Sequence, residues 1–327
     1  QKQKADNNST FKVVDVDLLN SYNMKQSDLT RTSFSFSNPK ELAIKQKIEK
    51  IGIPLKQWDI NIYRGITTGC NEAFIIDEAI KNELIKKDPK SAEIIKPILR
   101  GRVLNRFISH YPIEYLIYIP WEYDINSNET IKEYLYKYKT QLSNRPEVIE
   151  NRYNWYVMSR YGSAYSDSFR NHKIIYPEFS SSSLFSYDEK GSYLLDTSWF
   201  IDCGDKFLLG VLNTKLIWHY LKFISSSLGN ASLRMKKIFV EQIPIPKIDK
   251  DSQKPFINLV DEILEAKQKI KDYKPLLDEA IKNNNFDREI ALKKELENLE
   301  NICTTNEKTI DQMVYKLYDL TPDEIKI

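Results

Sequence analysis

The chemistry available to this chain lies in clusters of arginine, asparagine, threonine and serine, whose side chains can hydrogen-bond to phosphates and base edges. The first cluster, within residues 62–77, consists of Arg64, Thr67, Thr68 and Asn71. Runs rich in Ile and Phe flank this polar stretch, and Gly65 and Gly69 within it permit positive φ. The pattern predicts a β-hairpin that holds a polar tip away from the core.

Four further clusters lie between residues 100 and 237. They comprise Arg100, Arg102 and Arg106; Arg145, Arg152, Arg160 and Arg170; Ser181 and Ser182; and Asn230, Ser232, Arg234, Lys236 and Lys237. Major-groove recognition pairs Arg with guanine and Asn with adenine, whereas Lys, Arg and Ser contact phosphates. We predict that all five clusters bind DNA, with the 62–77 tip and the 230–237 segment as the strongest candidates.

Each cluster also has a purely structural interpretation. Arg100 and Arg102 can pair with internal carboxylates, and the aromatic residues interleaved with the third cluster can belong to the core. The serine run can be a disordered loop tip. The sequence alone leaves both interpretations open.

Motifs for catalysis or for metal binding are missing from the sequence. None of its nine glycines forms Gly-x-Gly, and the Asn-Pro pair at residues 38–39 is followed by Lys40, which does not fit the Asn-Pro-Pro-Tyr clamp for a flipped adenine. The string at residues 188–190, Asp-Glu-Lys, looks superficially like part of a nuclease site, but we interpret it as a solvated turn. We therefore predict no catalytic residue and no metal ligand.

Charge is distributed unevenly along the chain. Residues 1–250 carry 36 Lys and Arg against 29 Asp and Glu, a net charge of +7, while residues 251–327 carry 12 against 17, a net charge of −5. A polyanion would therefore meet the front part of the chain. The three scattered cysteines favour a reducing cytoplasm over a disulfide framework. Polar residues interrupt the apolar segment 207–224, so we expect no membrane span.

Several short segments follow one another along the chain in a characteristic order. They are Lys-Pro-Ile-Leu-Arg-Gly-Arg at 96–102, Tyr-Leu-Ile-Tyr-Ile-Pro at 115–120, Leu-Ser-Asn-Arg-Pro at 142–146, the aromatic-basic stretch 152–160, Lys-Ile-Ile-Tyr-Pro at 173–177, Leu-Leu-Gly-Val-Leu-Asn at 208–213, Ile-Pro-Ile-Pro at 243–246 and the terminal stretch 310–321. Together with the 62–77 segment, this order resembles the TaqI-like C-terminal specificity domain of adenine-N6 DNA methyltransferases and fused restriction-modification enzymes.

The resemblance implies a division of labour within a longer parent enzyme. This chain would recognise double-stranded DNA and catalyse nothing, with no cofactor of its own. A missing N-terminal domain would bind S-adenosylmethionine and methylate adenine, and a fused endonuclease would require Mg²⁺. Such an enzyme would work in the bacterial cytoplasm.

The element pattern predicts an α+β fold with three parts. Residues 1–52 form a linker and a docking helix that begins at Pro39, following the missing catalytic domain; residues 53–248 form a mixed-sheet recognition domain with long loops; and residues 249–327 form a helical spacer or docking arm. Predicted strands cover 11–19, 58–63, 73–76, 115–119, 155–158, 173–176 and 198–203, and predicted helices cover 77–85, 131–142 and 206–223.

The helical arm contains two apolar runs, one ending at Pro275 and one from Leu292 to Leu320 with 4-3-4-3 spacing. That spacing, with Asn306 inside it, is typical of a coiled-coil seam, and the two runs could fold back as an antiparallel pair. An amphipathic helix lying on the core has the same spacing. A protein-interaction module acting through these helices is accordingly the alternative function.

Overall fold

The structure, a computed structural model, describes residues 10–15, 20–25, 39–109, 114–228 and 232–326. Two residues considered above, Asn38 and Asn230, lie outside these ranges. The strands in chain order are β1 Thr10–Asp15, β2 Asn20–Lys25, β3 Ile53–Pro54, β4 Ile62–Arg64, β5 Ile75–Asp77, β6 Ile95–Leu99, β7 Phe107–Ile108, β8 Glu114–Ile117, β9 Lys173–Pro177, β10 Phe179–Ser180, β11 Ser186–Asp188, β12 Tyr193–Leu194, β13 Ser198–Ile201, β14 Ser227–Leu228, β15 Ser232–Arg234 and β16 Pro244–Ile245.

The helices in chain order are α1 Pro39–Ile51, α2 Asn71–Phe74, α3 Glu78–Lys87, α4 Glu129–Tyr136, α5 Lys139–Ser143, α6 Pro146–Ile149, α7 Lys206–Leu212, α8 Lys215–Ile224, α9 Lys237–Val240, α10 Lys250–Lys282, α11 Phe286–Leu317 and α12 Pro322–Ile325. The α+β class is confirmed. So are the helices predicted to begin at Pro39 and to cover 77–85, and the strands at 115–119, 173–176 and 198–203 agree to within a few residues.

Two larger sheets form the middle of the chain. The five-stranded sheet has the order β4-β13-β9-β11-β7 and is antiparallel except for the β11/β7 pair. The four-stranded sheet has the order β12-β6-β8-β5. A smaller sheet, β10-β15-β14, joins the 179–180 segment to the 232–234 segment. These pairings bring parts of the chain together that are far apart in sequence.

The predicted hairpin at residues 62–77 is wrong. Strand β4 pairs with β13, whereas β5 pairs with β8 in the other sheet, and a single helical turn, α2, separates them. Burial explains the difference: Ile62 lies in one core, and Ile66 and Ile76 lie in the other. Gly65 does not adopt a positive φ. Glycine is required there by packing, because a Cβ would lie 2.1 Å from the carbonyl oxygen of Leu195.

The predicted helix 206–223 is interrupted at Asn213 and Thr214. The Asn213 side chain accepts a hydrogen bond from the Phe185 amide at 3.0 Å and donates to the Phe185 carbonyl at 2.9 Å. Thr214 then caps α8 by accepting from the Ile217 amide. The break ties both helices to the strand region, and among the described residues no helix is long and apolar enough to cross a bilayer.

The interpretation of Asp188 as part of a solvated turn is also wrong. Asp188 ends β11, is fully buried, and forms an ion pair with Lys173 at 2.6 Å. It accepts further hydrogen bonds from the Ser192 amide and hydroxyl. Burial lowers the pKa of Lys173, and Asp188 opposes that shift. The pair is an internal support of the sheet, as a buried charge requires a partner.

Helices α10 and α11, joined by residues 283–285, form an antiparallel pair, which we call the helical pair. Helix α10 continues through Pro275, contrary to prediction, because this proline lies on the exposed face, where water can replace the lost backbone hydrogen bond. Asn306 is buried and donates to Glu262 at 2.7 Å. Val260 and Ile310 belong to the same core as α7 and α8, so the helical pair packs on these two helices.

The predicted strand at 155–158 is an irregular segment, and the predicted helix 131–142 is divided into α4 and α5. Of the strand predicted at 11–19, residues 11–15 belong to β1, which pairs with β2. Residues 16–19 lie outside the described part.

Candidate nucleic-acid interface

Two arginines from distant segments share one buried carboxylate. Arg64 ends β4 and Arg234 ends β15, while Glu178 lies directly after β9 and is 5% exposed. Arg64 Nη2 donates to Glu178 Oε2 at 3.2 Å, and Arg234 donates to Oε1 through Nε at 3.1 Å and through Nη2 at 2.9 Å. Both arginine side chains remain about 40% exposed. The buried Glu178 carboxylate therefore holds two guanidinium groups in place at the surface.

Backbone pairing explains why these residues meet. Arg64 is opposite Trp199 in the β4/β13 pair, and Arg234 is opposite Phe179 in the β10/β15 pair. The Glu178 amide donates to the Thr197 carbonyl, and its carbonyl accepts from the Met235 amide. Strand pairing in two sheets thus brings the three charged side chains together.

Asp196 supplies a second anchor beside Arg64. Arg64 Nε donates to the Asp196 carbonyl oxygen at 2.8 Å, and Thr67 Oγ1 donates to the Asp196 carboxylate at 3.2 Å. Aromatic rings support each guanidinium group: the Arg64 Cζ lies 5.8 Å from the Trp199 ring centre, and the Arg234 Cζ lies 5.5 Å from that of Phe179. Such ring contacts restrict a guanidinium to a defined plane.

An open cleft of about 370 Å³ adjoins this group. Its lining comprises Asn71, Arg100, Gly101, Arg102, Pro177, Phe179, Leu195, Asp196 and Thr197. We call the cleft, together with Arg64, Glu178 and Arg234, the arginine cleft. It brings residues of the first, second and fifth predicted clusters to one surface.

The members of the predicted clusters differ in their exposure and in whether an internal hydrogen bond or ion pair occupies them. Arg102 is exposed and has no hydrogen bond or ion pair within the described ranges, and Asn71 is also exposed. Arg100, in contrast, forms a two-pronged pair with Glu114 at 2.7 and 2.8 Å. The predicted internal pairing thus applies to Arg100 and not to Arg102.

The serine and lysine residues flank the cleft. Ser181 and Ser182 are exposed and follow β10, which pairs with the strand carrying Ser232 and Arg234. Lys236 and Lys237 lie at the start of α9, immediately after that strand. Asn230 belongs to the same predicted cluster but lies outside the described residues.

Two of the predicted DNA ligands are buried, which corrects their assignment. Arg145 is 6% exposed, and its three nitrogen positions donate to the backbone carbonyls of Leu142, Thr68 and Trp155. Thr68 is 2% exposed, donates to Asn71 and accepts from the Cys70 amide. Burial lowers the pKa of Arg145 without discharging it. Both residues shape the 67–71 turn and cannot reach a duplex in this conformation.

Arg106 is also used internally. It donates to the Asn213 carbonyl at 2.6 Å and pairs with Glu307 of α11 at 2.9 Å, so it connects the end of α7 to the helical pair. These bonds are internal to the fold, so they support a structural role for Arg106 and not a surface contact with DNA.

The other arginines of the third cluster lie at the surface. Arg160 is exposed, and its backbone pairs with that of Thr67 at 2.9 Å in both directions, which places it beside the arginine cleft. Arg152 pairs with Glu150, and Arg170 lies 4.0 Å from Asp167. Neither Arg152 nor Arg170 lines the cleft.

Three residues of the site escaped the sequence analysis: Glu178, Phe179 and Asp196. The available signal was the string Tyr-Pro-Glu-Phe at 176–179, in which a charged residue directly follows an apolar strand. A carboxylate does not bind phosphate, so the residue type of Glu178 or Asp196 alone does not indicate a place in a DNA-binding site. Across the described ranges, no group of three or more His, Cys, Asp or Glu side chains is placed to hold a metal ion.

Comparison with protein families places part of this region. Residues 96–245 match the TaqI-like C-terminal specificity domain. Over these residues, somewhat less than half of its length, the chain is similar to that family. The matched specificity domain includes Glu178, Asp196 and Arg234, whereas Arg64 and the helical pair lie outside the matched range.

Among the solved structures, that of MmeI has a similar fold over most of this chain. The type IIL restriction-modification enzyme MmeI matches 84% of this chain with a TM-score of 0.57 and 12% identity, and the type IIG restriction endonuclease BpuSI matches 93% with a TM-score of 0.47 and 13% identity. The chain spans 35% of the first enzyme and 36% of the second. No curated protein matches it.

Proposed function

We propose that this chain recognises a specific sequence in double-stranded DNA as the specificity domain of a restriction-modification enzyme. The observation that carries the proposal is the arginine cleft: two arginines held by one buried carboxylate stand beside exposed Arg102, Arg160 and Asn71. Preorganised arginine and asparagine side chains are the groups that read base edges. The fold is shared with MmeI, whose structure was determined in complex with DNA.

The chemistry is assigned to another domain of the parent protein. We propose that this domain binds S-adenosylmethionine and transfers a methyl group to adenine N6, and that a fused endonuclease, where present, uses Mg²⁺. The recognition domain then fixes the register, so that the catalytic domain meets its adenine at a constant distance from the recognised bases. We propose that the protein acts in the bacterial cytoplasm, where its DNA target lies.

A fluorescence-anisotropy titration with labelled duplexes tests the proposal. The chain is titrated against a pool of duplexes with randomised centres at several salt concentrations, and bound duplexes are sequenced. We expect a selected motif, together with a log-log decrease of affinity with salt. Arg64→Ala and Arg234→Ala should each weaken binding about 5- to 150-fold, the range of one specific arginine contact.

Arg288→Ala is the matched control, because it removes the same charge from an exposed arginine near the tip of the helical pair. It should bind the pool as the unmodified chain does. Absence of salt-sensitive binding, or equal losses for Arg288→Ala and Arg64→Ala, would contradict DNA recognition by this cleft.

The helical pair supports a second candidate function, protein binding. Near its tip, Ile281, Phe286 and Ile290 are between 47% and 68% exposed. Deleting residues 251–327 would not test this function cleanly, because Val260 and Ile310 belong to the core. Replacing the three apolar residues with serine should instead abolish binding of a separately produced catalytic domain while leaving DNA binding unchanged.

A further inference from the structure

The hydrogen bonds inside the arginine cleft leave a defined edge of each guanidinium group open. Arg234 uses Nε and one Nη2 proton for Glu178, and Arg64 uses Nε for Asp196 and one Nη2 proton for Glu178. Nη1 of both residues has no hydrogen-bond partner among the described residues. In a planar group with five N–H donors, this leaves the Nη1/Nη2 edge for an external acceptor pair.

Two kinds of acceptor pair on DNA fit such an edge, namely phosphate oxygens and the O6 and N7 atoms of guanine. The local charge separates them. Two carboxylates, Glu178 and Asp196, lie within hydrogen-bond distance of the arginines or of their neighbour Thr67. A phosphate would bring a third negative charge to this group, whereas the guanine edge accepts hydrogen bonds without net charge.

Asp196 adds the complementary half of a base pair. Thr67 donates to its Oδ2 atom, and among the described residues no group donates to its other carboxylate oxygen, which therefore remains an acceptor at the cleft. In the major groove, a G·C pair presents the O6 and N7 acceptors of guanine next to the N4 amino donor of cytosine. Arg64 and Asp196, adjacent through the 2.8 Å hydrogen bond, offer a donor edge and an acceptor side by side.

We propose that Arg64 and Asp196 together read one G·C pair in the major groove, with Arg64 on guanine and Asp196 on cytosine. Glu178 is a positioning residue that keeps the outer edge of Arg64 aimed at the groove. This assignment rests on the proposed function, since it names the base pair that the same cleft recognises.

The test uses the motif selected from the randomised duplexes. Each guanine of that motif is replaced in turn by 7-deazaguanine, which keeps base pairing and O6 but lacks the N7 acceptor. We expect one position at which this change weakens binding of the unmodified chain about tenfold, part of the 5- to 150-fold range for a bidentate contact. In Arg64→Ala, the same replacement should have no effect.

Glu178→Gln distinguishes positioning from simple structural support. The amide retains the shape of the carboxylate but loses the charge that fixes both arginines. We expect the chain to remain folded, with an unchanged circular dichroism spectrum, and the 7-deazaguanine penalty at the Arg64 position to fall to less than about threefold. An undiminished penalty would remove Glu178 from the assignment.

The salt dependence decides between base and phosphate. If Arg64 reads guanine, Arg64→Ala should leave the salt slope unchanged, whereas loss of a phosphate contact lowers the slope by about one. A lowered slope with no 7-deazaguanine effect overturns this inference, as does a motif without guanine, and in both cases DNA recognition stands. Failure to bind or select any duplex overturns the proposed function itself.

Discussion

The arginine cleft and the buried group of Arg145 with the carbonyls of Leu142, Thr68 and Trp155, which we call the Arg145 pocket, use the same kind of side chain in opposite ways. In the cleft, Arg64 and Arg234 are held on a carboxylate and remain about 40% exposed, with an outer edge open. In the pocket, Arg145 is 6% exposed and donates to three backbone carbonyls. The buried Glu178 carboxylate orients two arginines and leaves one edge of each toward the surface. The buried carbonyls instead take a hydrogen bond from each of the three nitrogens of Arg145. The identity of the acceptor therefore indicates which arginines can bind a ligand.

The two regions are also connected. Arg145 Nη1 binds the Thr68 carbonyl at 3.1 Å, and Thr68 lies in the turn whose Thr67 and Asn71 border the cleft. The pocket thus supports the shape of the cleft from inside the fold. Changes in the pocket should reduce stability first, and changes in the cleft should reduce binding first.

Arg145→Ala should have the largest effect. It removes the Arg145 donor from the carbonyls of Leu142 and Trp155 and leaves the Thr68 carbonyl only the Ser159 amide at 3.3 Å. Unsatisfied buried polar groups cost about 1–3 kcal/mol each before relaxation. We expect a loss of about 3 kcal/mol or more in the free energy of unfolding, measured by urea denaturation. Arg152→Ala, which removes an exposed arginine from the same segment, is the control and should change the midpoint little. Comparable losses for both variants would break the distinction between pocket and surface.

Gly65→Ala should come next. The added Cβ would lie 2.1 Å from the Leu195 carbonyl oxygen, so the strand carrying Arg64 must move away from the backbone that carries Asp196. Overpacking of this kind costs about 1–3 kcal/mol. We expect a lower denaturation midpoint together with weaker DNA binding by the fraction that remains folded. Normal affinity in this variant would show that the cleft tolerates a shift of β4.

Thr68→Val should have a smaller effect, confined to the turn. The valine keeps the volume of Thr68 but loses the hydrogen bonds to Asn71 and from the Cys70 amide. A loss of about 1 kcal/mol in unfolding free energy is expected. Thr68→Ser retains the hydroxyl and serves as the matched comparison. If serine and valine destabilise equally, lost packing and not lost hydrogen bonding is the cause.

Arg102→Ala should have the smallest effect on stability, because this exposed arginine has no hydrogen bond or ion pair within the part of the chain that the structure describes. Its free charge suits a phosphate. We expect an unchanged thermal midpoint, an affinity loss of a few fold for all duplex sequences, and a salt slope smaller by about one. A loss restricted to one sequence would instead assign Arg102 to a base.

Local patterns were sufficient for much of the fold. Pro39 at the first position of a helix, the apolar strands at 173–177 and 198–201, and the helical character of residues after 249 all follow from propensity and periodicity. The two best candidate segments, around Arg64 and Arg234, do meet at one surface. The domain boundaries drawn from the sequence stay predictions.

The failures share one cause, which is that pairing partners are not local. A strand-turn-strand pattern could not reveal that β4 and β5 enter different sheets, and equal-looking arginines could not be separated by the acceptors they would meet. Pro275 did not end its helix because it lies on the exposed face of α10, where water can replace the lost backbone hydrogen bond, and the exposed face is set by tertiary packing.

The sequence by itself determined the classes of element and the supply of arginine, asparagine and serine available for DNA, because these depend on residue type and short spacing. Only the tertiary structure decided which arginines keep open donors, because Glu178 reaches Arg64 and Arg234 through sheet register, and Arg145 reaches its carbonyls through burial. Register and burial are properties of the whole packed chain, and they act between residues that the sequence holds far apart.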